Sequence, residues 1–390
     1  MVIGYDASRA FVTDRTGTEN YSYNLLLNLL KVDRKNAYKI YLRPPSEILK
    51  NKKDLEEWLE VVKSSLPKTN NYRLVVIKRK RFWTQWGLSM ELRRRPVGVL
   101  FVPAHTLPFF RPSRIKTVVT IHDLGYEYLP QYHKFPHKLW LNKSTEYAVA
   151  HADHIIAVSE ATKDDLINKL NAVAKQITVI YEGFALKDVG AAGISFKEVK
   201  EKYSLNDSYV LFLGTIQPRK NLVRLIQAFD VVCKNPAVLS IYPDLQLVLV
   251  GKNGWMNKEI YDEPKKIGIE RSVAFLGHLP DSEVVPIFKK ALVFAFPSLF
   301  EGFGIPIIEA QSLGVPVVTS HKKPMSEVGG IACEYVNPED VSSIVDGIIQ
   351  VLTHPEKTSI LKKRGLQNIT RFNWQKAARE TLAVLENTKG

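Results

Sequence analysis

Short runs of β-branched and aromatic residues alternate with amphipathic, helix-patterned stretches along nearly all of this 390-residue chain. That alternation confines the fold to α/β architecture, because parallel strands need crossover connections and helices usually supply them. Strands are expected in the first half at Val2–Tyr5, Tyr38–Leu42, Arg73–Ile77, Val97–Val102, Thr117–Ile121, His154–Val158 and Ile177–Ile180. In the second half they are expected at Tyr209–Leu213, Gln246–Val250, Val273–Leu276, Val293–Phe296 and Val315–Thr319. Their continuous apolar character suits strands covered on both faces. Helices are expected over Glu19–Lys31, Lys53–Ser64, Pro136–His151 and Ala161–Leu170. Two such series imply two doubly wound, Rossmann-like domains, 1–185 and 186–371, joined by the small, Gly-rich stretch Ala185–Ser195. In open sheets of this kind ligands bind outside the carboxyl ends of the strands, and the cleft between two domains is the default site.

The segment PSLFEGFGIPIIEAQSLG, Pro297–Gly314, carries the clearest chemistry. A strand ends at Pro297, a Gly-containing loop follows, Pro306 suits the first turn of a helix and Gly314 suits its end. Backbone N–H groups of Phe303, Gly304 and Ile305 at this helix entrance make a ready anion site, phosphate above all. Glu301 precedes the helix and Glu309 lies about one turn inside it. Carboxylates accept several hydrogen bonds at once and suit sugar hydroxyls. The plainer alternative is that both acids merely offset the helix dipole.

A second segment, LFLGTIQPRKNLVRLIQAF, Leu211–Phe229, places a strand end at Gly214 and a helix whose apolar residues Leu222, Leu225, Ile226 and Phe229 recur at helical spacing. Asn221 is expected to cap that helix. Arg219 and Lys220, between the two, can neutralise a diphosphate leaving group, Arg as a fork and Lys as a point charge. A solvated pair in a turn is the competing reading.

Gly214, Arg219, Lys220 and Asn221, taken with EGFGIPIIE, resemble the signature of glycosyltransferase family 4, retaining enzymes of the GT-B fold. LVLVGKNG, VAFLGHLPDSEV, PVVTS and SEVGGIACEYVNPEDV resemble family segments in family order. The resemblance implies two Rossmann-like domains facing a central cleft, with the donor held by the second. It implies that Glu309 binds ribose hydroxyls, that Glu301 contacts the donor sugar, and that Arg219 and Lys220 hold the diphosphate. Lys252 and the backbone at Gly277, His278 and Leu279 would border the base. RTGTENYSYNLL resembles the family's first Gly loop: Gly17 and Glu19 match, Thr16 stands where a glycine is usual, and Thr18 lies between on the donor side. VVTIHDLGYEYLP places His122 and Asp123 at a strand end. The family keeps a histidine there lining the sugar subsite, so His122 joins Arg219, Lys220 and Glu301 as a catalytic candidate, with Glu19 and Asp123 toward the acceptor. FNWQKAA resembles the family's closing helix, so residues from about 372 to 390 are expected to pack back on the first domain.

No metal and no cofactor are expected; the donor substrate would be a GDP- or UDP-linked sugar, with mannose favoured. Retention through two steps would need a carboxylate nucleophile, and none is evident, so a front-face route is the working expectation. The competing classes are an epimerase or phosphorylase sharing the fold and, outside enzymes, a basic module for membranes or nucleic acids.

The net charge of +14 is lopsided: residues 1–180 hold 29 Lys and Arg against 17 Asp and Glu, the remainder 25 against 23. The densest run, KRKRFWTQW at Lys78–Trp86, followed by Arg93, Arg94 and Arg95, mixes cations with aromatic rings. That composition suits an anionic membrane surface, ahead of a plain solvated basic loop and of nucleic acid. Two cysteines, Cys233 and Cys333, form no disulfide framework, and Met1 leads into a strand with no basic leader. Ala291–Ile308 is apolar but broken by Pro and Gly, unlike a spanning helix. The expected location is cytoplasmic, peripheral at the inner membrane face, with a glycan or lipid-linked acceptor.

Overall fold

The computed structural model describes residues 1–12, 15, 17–125, 137–184 and 194–388, with backbone only for 137–141. Thr16, Pro136 and most of the linker lie outside the described residues. Among those described, thirteen parallel strands form two sheets. The first contains β1 Val2–Asp6, β2 Ala37–Leu42, β3 Tyr72–Val76, β4 Val99–Val102, β5 Lys116–Ile121, β6 His154–Ala157 and β7 Ile177–Val179. Its order is β3-β2-β1-β4-β5-β6-β7. The second contains β8 Tyr209–Leu213, β9 Gln246–Val250, β10 Val273–Gly277, β11 Val293–Phe296, β12 Val317–Ser320 and β13 Cys333–Val336, in the order β10-β9-β8-β11-β12-β13. Strand β13 was not expected: CEYV is short, edges the sheet, and carries a half-exposed Glu334.

Both sheets are doubly wound, and their central strands β4, β9, β11 and β12 are buried along their whole length. The helix Leu222–Lys234 buries Leu222, Leu225, Ile226 and Phe229, the positions its spacing marks. Strand order reverses between β1 and β4 in the first sheet and between β8 and β11 in the second. In open α/β sheets the crevice at such a reversal, at the carboxyl ends, is where ligands bind.

The chain forms two compact units. One holds β1–β7, up to Gly183, together with the segment from Phe372 onward; the other holds the chain from Phe184 to Arg371. The helix Trp374–Asn387, capped by the Asn373 side chain on two backbone N–H groups, packs against the helix Gly17–Val32. The Trp374 ring lies edge-on to Tyr21 at 5.9 Å, and a Cβ added at Gly183 would stand only 2.4 Å from its Cγ. Among the described residues no helix is long and apolar enough to cross a membrane. The apolar run near Ala291 resolves into β11, a loop and the helix Ile305–Ser312.

Candidate functional site

In the second unit the loops after β8 and β11, adjacent strands at the reversal of order, converge on one buried cluster. Beyond β8 the chain makes a short turn, Pro218–Lys220, that delivers two cations. Beyond β11 it delivers Glu301. The Arg219 Nη1 donates to Glu301 Oε2 at 2.9 Å and the Lys220 Nζ to Oε1 at 2.5 Å. Lys220 is 6% exposed and Glu301 7%. Burial alone would raise the Glu301 carboxyl, but the Arg219 and Lys220 charges outweigh it and hold the group below the usual carboxylate range. The Lys220 ammonium also lies 4.8 Å from the centre of the Phe296 ring. Among the described residues, two cations thus share this one carboxylate.

The frame around this cluster is main chain. Leu299 N donates to Arg219 O at 2.9 Å, and Arg219 Nη1 reaches Phe300 O at 3.2 Å. Asn221 acts otherwise than expected. It sits in the left-handed region at φ 62° and its side chain caps nothing. Its Nδ2 instead donates to Pro297 O and Pro338 O at 3.1 and 2.6 Å, tying the turn to two other loops. The preference of Asn for helix starts is satisfied here by backbone conformation, because the amide is drawn off to carbonyls that need a donor.

Four residues past Glu301 the helix Ile305–Ser312 begins, with Gly304 at φ 113° as its cap residue and Pro306 in its first turn. Phe303 and Gly304 are buried and Glu309 half-buried at this entrance. At the carboxyl ends of β8, β9 and β10 the chain is laced together: Gly214 N to Val250 O at 2.9 Å, Gly251 N to Gly277 O at 2.8 Å, Ile216 N to Lys252 O at 2.9 Å. Gly214, Lys252 and Gly277 are therefore neighbours through their strands. Lys252 and His278 are exposed and Leu279 is buried. Glu301, expected as a donor-sugar contact, accepts from Arg219 through one oxygen and from Lys220 through the other.

In the first unit the carboxyl ends of β4, β5 and β7 meet at His122. Its Nδ1 faces Glu182 Oε1 at 3.2 Å and its Nε2 faces the Pro103 carbonyl at 3.0 Å. Two acceptors on one ring require two N–H donors, so the imidazolium form fits. Burial pulls the His122 pKa down, but the hydrogen bond and charge of Glu182 and the Pro103 carbonyl raise it above the ordinary histidine value. His105, with ring centres 5.7 Å away, is pushed down to about 4 by burial and by the His122 charge, and stays neutral. Tyr21 packs edge-on to His122 at 4.7 Å. Both ring nitrogens of His122 thus face acceptors of the protein itself. Sequence reasoning missed Glu182, which stands in YEGF with no chemical motif around it.

Gly17, exposed, opens the helix that carries Thr18 and Glu19, and Glu19 accepts from Arg9 Nη1 at 3.0 Å. Asp123 Oδ1 accepts from Gly125 N at 2.9 Å. In Lys78–Trp86 the expectation of a surface run needs one correction. Trp83 is 2% exposed and belongs to the core, where its indole donates to Ile77 O at 3.2 Å; Phe82 and Trp86 stay exposed.

Residues 16–188 match the family model described as Glycosyltransferase Family 4, and residues 195–368 the model described as Glycosyl transferases group 1. The O-antigen chain mannosyltransferase B of Escherichia coli is 30% identical over 280 residues, covering 71% of this chain and 72% of that one. The serotype-specific mannosyltransferase WbdA of Escherichia coli is 31% identical over 291 residues, 71% of this chain, which thus spans about a third (33%) of that longer protein. Among solved structures, Anabaena HepE in complex with UDP and glucose superposes with a TM-score of 0.71 over 99% of this chain and 100% of that one, at 16% identity.

Proposed function

The chain belongs to glycosyltransferase family 4 and is a glycosyltransferase of the GT-B fold, and from that premise we propose that it transfers mannose, with retention, from a GDP-linked donor to a glycan or lipid-linked acceptor of a cell-envelope polysaccharide. The observation that carries this reading is the buried cluster of Arg219, Lys220 and Glu301 at the strand reversal of the second sheet. A bound diphosphate competes with Glu301 for the two cations. Arg219 offers a fork and Lys220 a point charge, and both offset the charge that develops on the leaving phosphate without a metal ion. The entrance of the helix Ile305–Ser312 adds backbone N–H groups pointing the same way as the helix dipole. Glu309, one turn inside, accepts from ribose hydroxyls, and Lys252 with the Gly277–Leu279 backbone borders the base.

The preference for mannose follows the two Escherichia coli mannosyltransferases to which this chain is similar. The front-face route is preferred because the three carboxylates considered as nucleophiles are engaged: Glu301 is held by two cations, and Asp123 and Glu19 have partners of their own. A lipid-linked acceptor would put the reaction at the inner membrane face.

The test is a panel of nucleotide sugars read by thermal shift and by donor hydrolysis in the presence of a chelator. GDP and GDP-mannose are expected to raise the melting temperature more than UDP and UDP-hexoses, since a specific ligand must stabilise the folded state. The product anomer is then read by proton NMR. Activity that vanishes with the chelator, an inverted product, or a trapped sugar adduct on Glu301, Asp123 or Glu19 would each overturn the corresponding part of the reading.

A further inference from the structure

The stretch from Lys78 to Arg94 takes no part in that chemistry, yet it is built with unusual care. Phe82 holds φ 53°, a left-handed conformation that a bulky side chain adopts only at a cost. It opens a π-helical turn, Trp83–Leu88, which runs into the helix Ser89–Arg94, and such turns gather at functional places. One side of this element is core: Trp83, Leu88 and Leu92 are buried together. The other side is a stripe of apolar residues four apart, Phe82, Trp86 and Met90, which are 63%, 51% and 42% exposed.

A second loop completes the stripe. Phe110, 54% exposed, stands with its ring 6.3 Å from that of Trp86. Buried Gln85 fixes that pairing, because its Nε2 donates to Leu107 O at 3.0 Å and its Oε1 accepts from Phe109 N at 2.7 Å. The exposed rings are therefore held from beneath by buried hydrogen bonds. Cations border the stripe on both sides: Lys78, Arg79, Lys80 and Arg81 before it, Arg93 and Arg94 after it, all exposed. The acid within it, Glu91, lies 3.8 Å from Arg95.

We propose that Phe82, Trp86 and Phe110 form a preset wedge that seats in the headgroup layer of an anionic bilayer, with the bordering Lys and Arg side chains on lipid phosphates. Large exposed apolar side chains ringed by cations are what interfacial binding requires. Stacking on nucleobases requires open ring faces, whereas the Arg79 guanidinium lies over the Trp86 ring at 5.9 Å and Met90 offers no plane at all. The wedge deepens the transferase reading by naming the surface on which its lipid-linked acceptor is met. Binding is measured without donor or turnover, so it can fail while the transferase reading stands, and the reverse.

The test is flotation of the full chain with vesicles of equal parts phosphatidylglycerol and phosphatidylcholine, against phosphatidylcholine alone. The wild type is expected to float with the anionic vesicles and to be released by high salt. The triple variant Phe82→Ser, Trp86→Ser, Phe110→Ser is expected to bind at least about tenfold more weakly, while keeping its melting temperature and its GDP-induced shift. A second measurement does not depend on the triple variant's folding: brominated phosphatidylglycerol should quench wild-type tryptophan emission, and Trp86→Phe should lose most of that quenching. Absence of flotation by the wild type, equal binding by the folded triple variant, or quenching unchanged in Trp86→Phe overturns the proposal. So does capture of the chain from vesicles by a single-stranded RNA homopolymer that the triple variant no longer binds.

Discussion

Lys220 and Glu301, separated by 81 residues, meet in a buried ion pair where β8 and β11 lie side by side. Neither charge is cheap to bury. The pair persists because Arg219 supplies a second cation to the same carboxylate and because the sheet reversal fixes both loops. In the proposed reaction these same two cations meet the donor's diphosphate.

Lys220→Met keeps the packing against Phe296 and removes the charge. It is expected to lower stability by about 3 kcal/mol, since the buried Glu301 loses one of its two cations, and to lower turnover at least about 100-fold through loss of leaving-group stabilisation. Adding Glu301→Gln removes the stranded charge. The double variant should regain most of the stability and none of the turnover. Thermal melting and donor-hydrolysis rates check both halves; a double variant as inactive but no more stable than Lys220→Met would mean that the carboxylate is not the group left in deficit.

How far the sequence spoke varies by residue for physical reasons. The helix after Asn221 was readable because Leu222, Leu225, Ile226 and Phe229 repeat at its period, and all four are buried. The helix Ile305–Ser312 was readable from Gly304, Pro306 and Gly314. The meeting of Lys220 with Glu301 was not, because it depends on which strands are neighbours, and sheet order leaves no local trace. Trp83 and Trp86 look alike in KRKRFWTQW. A π-turn breaks the 3.6-residue rhythm between them, so spacing could not say which faced inward. Glu182 went unseen because its meaning comes wholly from His122, 60 residues earlier.

The His122–Glu182 pair gives a pH signature. The folded-state pKa of His122 is raised, so its contribution is fully present below the unfolded value of about 6.5 and is lost as pH rises through the folded value. Glu182→Gln keeps the shape and removes the charge, and burial then favours the neutral ring. The gap in unfolding free energy between wild type and this variant, read by chemical denaturation at several pH values, should be widest on the acidic side, amount to about 2 kcal/mol there, and narrow steadily toward alkaline pH. A gap independent of pH would show that His122 does not carry the charge.

Asn221→Asp exchanges a donor for an acceptor against two carbonyls. Pro297 O and Pro338 O would each lose a buried partner and face a carboxylate. Destabilisation of about 3 kcal/mol is expected, with weaker nucleotide binding because the turn carrying Arg219 and Lys220 loses its ties. Asn221→Gly, which suits the left-handed φ of 62° but also drops the amide, should recover little. If the glycine variant were as stable as wild type, backbone conformation alone would account for this asparagine.

Gly251 and Gly268 both have positive φ, but only one stands in a crowd. A Cβ at Gly251 would lie 1.8 Å from the Gly214 carbonyl oxygen, inside the lacing that joins the ends of β8, β9 and β10. At Gly268, φ 77°, a Cβ would meet nothing within 4 Å. Gly268→Ala should therefore cost only left-handed strain, about 1–2 kcal/mol, and leave nucleotide affinity unchanged. Gly251→Ala must move backbone, and the strands it moves end in Gly214, Lys252 and Gly277. Its cost should exceed that of Gly268→Ala by several-fold, and the folded fraction should bind nucleotide more weakly. Chemical denaturation combined with nucleotide titration separates the two effects. Equal costs at the two positions would place the strain in φ alone and remove the argument that this lacing shapes the nucleotide site.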